Sequence, residues 1–116
     1  MKRLPAAICA SVAAIAFCAA PDAPAPLEIG ASLEPAQSLE RCLRLEAGEK
    51  RAYYWKSNAP VDFNIHFSRG DETRYALKRE RMRGDGGTFV AKSAEDYCWT
   101  WTAKSAAKLE GRIDVK

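Results

Sequence analysis

The amino-acid sequence predicts an all-β domain, an antiparallel β-sandwich of about seven or eight short strands held by one disulfide. Three observations predict it. Apolar and polar residues alternate without a fault through Val61-Asp62-Phe63-Asn64-Ile65-His66-Phe67, the period-2 pattern of a strand with one buried face. Other β-rich runs recur at short intervals, separated by Gly, Asn, Asp and Pro turn chemistry. Two cysteines, Cys42 and Cys98, remain once an export leader is set aside.

That leader comes first in the chain. Lys2 and Arg3 precede a mostly apolar stretch from Leu4 to Ala20, with no acidic residue among the first twenty. A charged start, a short hydrophobic centre and small residues near a cut are the marks of a secretory signal peptide over residues 1–20. The stretch is shorter than the roughly 20 apolar residues of a comfortable membrane span, and Pro21, Asp22, Pro24 and Pro26 end it. Cleavage after Cys18 avoids leaving Pro21 next to the cut, as cleavage after Ala20 would. The rival reading is a lipoprotein acylated at Cys18, although Phe17 stands where such signals need a small residue. Without Lys2 and Arg3 the 18 basic residues fall to 16 against 15 acidic ones, a net charge of +1. A nucleic-acid binder, which needs a strong basic excess, is not expected. Nor is disorder, given abundant apolar residues and low net charge.

Residues 21–37 are rich in Pro, Ala and Glu and read as an extended linker before a domain at 38–116. In that domain Leu39, Leu43 and Leu45 alternate with polar neighbours, and Gly48-Glu49 supplies a turn into the strand carrying Tyr53, Tyr54 and Trp55. Ser57-Asn58-Ala59-Pro60 is turn chemistry ahead of the Val61 strand. Tyr75 and Leu77 mark another strand at 73–78, and Gly84-Asp85-Gly86-Gly87 reads as a tight reversal before Thr88-Phe89-Val90-Ala91. Residues 97–102 are a further strand, and Leu109, Ile113 and Val115 suggest the last. A helix over residues 103–109, where Ala106 and Ala107 have high helix propensity, is the competing local reading.

Export leaves Cys42 and Cys98 in an oxidising compartment, where two cysteines most economically form one disulfide. A reactive or metal-binding pair is the alternative, with no CxxC spacing and a single histidine to support it.

The order Arg41-Cys42-Leu43-Arg44-Leu45, Gly48, Tyr54-Trp55, Val61-Asp62-Phe63-Asn64-Ile65, Gly87-Thr88-Phe89 and Tyr97-Cys98-Trp99 resembles the GOLD (Golgi dynamics) domain over residues 39–102. The resemblance implies a β-sandwich, a disulfide joining Cys42 to Cys98 across it, and non-catalytic binding through a sheet face or loops. Cargo-sorting members carry a coiled coil, a membrane helix and a sorting tail after the sandwich. This sequence ends at Lys116, so cargo-receptor activity is not carried over, and the alanine-rich leader points to a bacterial exported relative, periplasmic or secreted.

Candidate binding residues follow from the faces. Asp62, Asn64 and His66 share the polar face of the most regular strand, suited to a polar ligand or a metal, or to a solvated sheet surface. Tyr97, Trp99 and Trp101 share one face of another strand, where aromatics either stack on a sugar or fill the core; Trp101, nearest the strand end, is expected to be partly exposed. Tyr53, Trp55, Trp99 and Trp101 carry an alternative reading as a small-ligand or carbohydrate-binding module. The basic run Lys78-Arg79-Glu80-Arg81-Met82-Arg83 suits an acidic partner, anionic headgroups or a charged edge strand. The triplets Arg69-Gly70-Asp71 and Arg83-Gly84-Asp85 both fall at expected hairpin turns. Because no HExxH, GxSxG, DxDxDG or phosphate-cradling glycine loop occurs, the expectation is a non-enzymatic module binding a protein or envelope component, with no cofactor, no metal and no membrane span in the mature chain.

Overall fold

The computed structural model describes residues 26–115. Six strands make the fold: β1 (Leu27–Leu33), β2 (Ser38–Leu45), β3 (Lys50–Arg69), β4 (Glu72–Val90), β5 (Glu95–Ala103) and β6 (Ala107–Ile113). All pair antiparallel in one sheet, in the order β1-β6-β3-β5-β2, with β4 on the other side of β3. The all-β class and the disulfide are as the sequence predicts. The separate short strands of a sandwich are replaced by fewer, longer ones in a curled sheet.

The reason lies at the bends. The first half of β3 pairs β6, from Tyr53↔Ile113 to Ser57↔Leu109, and its second half pairs β5, from Val61↔Ala103 to His66↔Cys98. Between them, residues 57–60 bend the strand without ending it. Their turn-forming side chains satisfy groups the ladder leaves open: Ser57 Oγ donates to the Ala59 carbonyl at 2.6 Å, and Asn58 Oδ1 accepts the Lys108 N–H at 2.8 Å. Pro60, which has no N–H to donate, falls at this irregularity, as prolines in sheets do. Arg81, in the left-handed region at φ 54°, marks the matching bend in β4.

The glycines of β4 act differently from expectation too. The segment Gly84-Asp85-Gly86-Gly87 stays extended and pairs with residues 53–56. A Cβ on Gly84 would sit 3.0 Å from the Trp55 carbonyl oxygen, and one on Gly86 would sit 3.2 Å from that of Tyr53. These glycines let two strands approach closely, so no reversal is needed. Arg83-Gly84-Asp85 is therefore mid-strand. Only Arg69-Gly70-Asp71 falls at a hairpin, where Arg69 pairs with Glu72 and Gly70 takes φ 60°.

Part of the expected linker is also strand. β1 pairs β6 from Leu27↔Ile113 to Leu33↔Ala107, and Ile29 and Leu33 are buried. Two apolar residues spaced four apart, facing the core, outweigh the bias of the surrounding prolines. Residues 103–109 form no helix: β5 ends at Ala103 and β6 begins at Ala107. The expected signal peptide and the possible lipid site at Cys18 lie outside the described residues. Among the described residues no helix is long and apolar enough to cross a membrane.

Short connections fold the curled sheet onto itself. Gly48 N–H donates to Ala91 O at 2.8 Å and Ala91 N–H to Glu49 O at 2.9 Å, joining the β2–β3 and β4–β5 connections. The concave face thereby closes into a core. Trp55 meets Trp101 edge-on at 6.3 Å, Tyr53 meets Trp99 at 6.2 Å, and Phe63 stacks on Trp101 at 5.4 Å. Such pairs add about 0.5–1.5 kcal/mol each beyond the area they bury. Trp55, Trp99 and Trp101 are at most 2% exposed, so Trp101 is core and not the partly exposed residue its position near the strand end suggested.

The disulfide bridges Cys42 and Cys98, directly opposite each other on the neighbouring strands β2 and β5. It lies on the convex face and staples neighbours within one sheet, where the resemblance implied a link across a sandwich. Closing a loop of about 57 residues stabilises the fold by about 4 kcal/mol on the chain-entropy model.

Candidate binding cleft

β4 pairs with β3 alone, so along its outer edge the concave face is left open. There the sheet encloses a cleft of about 570 Å³, within the size range of ligand pockets. Tyr53 and Phe67 from β3, Leu77 and Phe89 from β4, and Tyr97 from β5 line it. Tyr75 and Val90 stand at its mouth, 52% and 46% exposed. The two halves of β3 and β4 bring these residues together, although up to 44 positions separate Tyr53 from Tyr97 in the chain.

The aromatic lining is held rigidly. Phe89 packs edge-on against Tyr97 at 4.9 Å and against Trp99 at 5.5 Å, and Phe67 meets Tyr97 at 5.3 Å. Tyr97 donates its hydroxyl hydrogen to the Ser93 carbonyl at 2.8 Å. Burial, reinforced by the Asp85 charge and opposed by Arg79, raises the Tyr53 phenol above its ordinary value, so it stays a neutral hydrogen-bonding group at neutral pH.

The rim is cationic but partly neutralised. Arg69 holds Glu95 through Nε at 2.9 Å and Nη2 at 2.8 Å, and Arg74 meets Glu72 at 3.0 Å. The Arg69 hydrogen bond, with that from Ser93, keeps the Glu95 carboxyl below its usual range. Lys92, also on the rim, makes no ion pair among the described residues.

The residues singled out in the sequence are divided by this geometry. Asp62, Asn64 and His66 do lie together on β3, on the convex side, away from the cleft. They do not converge on one point. Asp62 pairs with Lys104 at 3.0 Å and accepts the Arg81 N–H at 3.1 Å. Partial burial pushes its carboxyl upward, but these two hydrogen bonds and the charges of Lys104 and Arg81 outweigh that and hold it below its ordinary value. Asn64 Oδ1 contacts His66 Nδ1 at 2.7 Å, and His66 Nε2 faces Glu40 at 3.4 Å. Thr100 donates its hydroxyl to Glu40 at 3.3 Å, so that hydroxyl is turned to the carboxylate and not to the histidine, where a nucleophile would need it. Trp101 projects to the opposite face, into the core. Trp55 and Trp99 are buried with it, and of the aromatics singled out in the sequence Tyr53 and Tyr97 line the cleft.

The sequence reading missed Phe67, Tyr75, Phe89 and Val90 as cleft residues. Tyr75 had a visible signal, a large aromatic among Arg74, Lys78 and Arg79. The basic run 78–83 lies on β4, an edge strand as one of its readings held.

No protein-family model matches this chain, and no curated protein matches it. Two solved structures are similar in outline. A de novo designed double-stranded β-helix, solved by NMR, aligns with a TM-score of 0.43 and 11% identity, over 75% of this chain and 97% of that one. PliG from Aeromonas hydrophila, a periplasmic inhibitor of g-type lysozyme, aligns with a TM-score of 0.44 and 13% identity, over 77% of this chain and 86% of that one.

Proposed function

We propose that the protein is an exported, non-enzymatic binding module that holds an apolar part of a protein or envelope component in the cleft beside β4. The observation that carries this reading is the cleft itself: an aromatic-lined concavity of about 570 Å³ with Tyr75 and Val90 exposed at its mouth. Apolar concavities with a few polar groups at the rim are the usual form of a binding site, and half-exposed aromatics at a rim are the usual anchors of a protein contact. The chain's one histidine lies on the other face of the sheet, which speaks for binding and against acid–base catalysis in the cleft. The leader sequence and the formed Cys42–Cys98 bond support export.

The carbohydrate reading rests now on Tyr75 and Tyr53, since the tryptophans that suggested it are core. A photoreactive phenylalanine analogue placed at Tyr75 separates the cleft from the rest of the surface. Irradiated in the native envelope, it is expected to give a discrete protein adduct that the same analogue at exposed Lys108 does not. Adducts of equal yield at both positions would refute the cleft as the binding surface. Stacking of free oligosaccharides, read as saturable quenching lost in Tyr75→Ala, would favour the carbohydrate reading instead. Intact mass of the exported chain reports whether Cys18 carries lipid.

A further inference from the structure

The convex face carries a second arrangement, at the disulfide. Cys42 and Cys98 face one another on β2 and β5, and Cys98 is flanked on its other side by His66 of β3. Glu40 lies two residues before Cys42 and on the same face. Ligand atoms of Glu40, Cys42 and Cys98 all lie within 4.8 Å of one another, and His66 Nε2 is 3.4 Å from Glu40 Oε2. Three donors from two adjacent strands thus lie together, and His66 on the third strand reaches them through Glu40, near enough for a side-chain adjustment to bring it to the same ion. In a tetrahedral zinc site the ion lies about 2.3 Å from sulfur and about 2.0 Å from nitrogen or oxygen, so its ligand atoms stand about 3.5 Å apart.

The geometry points to a redox-gated metal site: when the Cys42–Cys98 disulfide is reduced, Cys42, Cys98, His66 and Glu40 bind one thiophilic divalent ion, zinc by preference. While the disulfide is intact, both sulfurs are bonded to each other and offer no thiolate. A dithiol reductant opens it. The S–S bond breaks, the dithiol's two sulfurs join in a new disulfide, and its two protons pass to Cys42 and Cys98. Zinc then displaces those protons and takes the two sulfurs as thiolates.

The surroundings are already set for this. With Nδ1–H donated to Asn64 Oδ1 at 2.7 Å, His66 directs Nε2 at Glu40, and a nitrogen lone pair facing a carboxylate is favourable only with a proton or a cation between them. A fixed second-sphere acceptor of this kind orients a ligating imidazole and raises its basicity. The registers Cys42↔Cys98 and Cys98↔His66 set these side chains beside one another on the three strands. Cys42 is exposed, and the Glu40 side chain is 52% exposed, so both reductant and ion can reach the site. This is the metal-binding alternative for the cysteine pair, confined to the reduced state. It is independent of the cleft, which faces the other way.

The test is cobalt and zinc titration of the exported chain, oxidised and after reduction with a phosphine. The reduced protein is expected to bind one equivalent of cobalt, with a thiolate charge-transfer band and the strong visible bands of a tetrahedral ion, and the oxidised protein to show neither. His66→Ala and Glu40→Gln should each weaken binding by at least about tenfold, on the scale of losses seen when metal-site partners are removed, with Asp96→Asn as the neighbouring control left unchanged. If reduction alone unfolds the chain, added zinc is expected to restore the native tryptophan emission. Reduced protein that neither binds cobalt nor is refolded by zinc would overturn the proposal. So would binding that is indifferent to both His66→Ala and Glu40→Gln.

Discussion

β5 and β4 are neighbours of the same strand, β3, and differ in almost everything else. β5 is flanked on both edges, by β2 and β3, and every second residue from Tyr97 to Ala103 is buried. β4 has a partner on one edge only, and none of its nineteen residues is fully buried. A strand with two partners has its faces fixed by the sheet, so its aromatics are committed to the core. A strand with one partner keeps a free edge, where Tyr75 and Val90 stay at the surface and the core opens as a cleft. Stability is concentrated on β5, and the binding reading on β4.

The largest effect should separate these two strands directly. Trp101→Ala removes a fully buried ring that packs on Trp55 and Phe63, and is expected to cost about 3–5 kcal/mol in urea denaturation. Tyr75→Ala, on β4, should change stability by less than about 1 kcal/mol while sharply lowering the adduct yield of a photoreactive analogue placed at Val90, the other exposed residue at the cleft mouth. Equal losses of stability would mean that the edge strand is as much core as the central one.

Added bulk sharpens the same contrast between inner and outer strands. β6 lies between β1 and β3, and at Gly111 an added Cβ would fall 2.6 Å from Trp55 Cα, against backbone that cannot move aside. Gly30 on edge strand β1 has nothing within 4 Å. Gly111→Ala is expected to destabilise by about 3 kcal/mol or more. Gly30→Ala should be neutral, or stabilise by up to about 1 kcal/mol through the unfolded chain, as thermal melts of the two variants would show.

How much of this was legible in the sequence depended on the same distinction. The alternation of residues 61–67 and of 97–102 gave two strands and their faces, because both lie where the sheet has partners on each side. It did not say how far the buried face runs toward the strand end, and that is why Trp101 was misplaced. In β4 the charged run and the glycines carry no alternation, and turn residues there and at 57–60 bend strands that longer-range pairing keeps intact. The cleft was not legible at all. Tyr53, Phe67, Tyr75, Phe89 and Tyr97 converge only because the sheet curls, and no local window contains that information. The cysteine pairing was readable from parity, but its placement between neighbouring strands required the register.

The smallest effect is electrostatic. Asp62 ties β3 to the Arg81 bend of β4 and to Lys104, and its folded carboxyl titrates below the ordinary value. The unfolded chain therefore takes up the proton first as pH falls, so the stabilisation is complete above about pH 4 and is lost as pH drops through the folded value. For an accessible pair it is less than about 1 kcal/mol. The melting temperature of the wild type is expected to exceed that of Asp62→Asn at pH 7, with the gap closing below about pH 4. A gap independent of pH would remove charge as its cause.

The four tyrosines test the central claim in one spectrum. Tyr53, Tyr75 and Tyr97 line the cleft, while Tyr54, equally exposed at 53%, lies outside it. With fluorotyrosine incorporated, the fluorine NMR spectrum should show the Tyr75 resonance, and with it Tyr53 or Tyr97, shifting as the cross-linked partner is added, while Tyr54 stays in place. Movement of Tyr54 with the three cleft resonances unchanged would contradict the assignment of binding to the open side of β4.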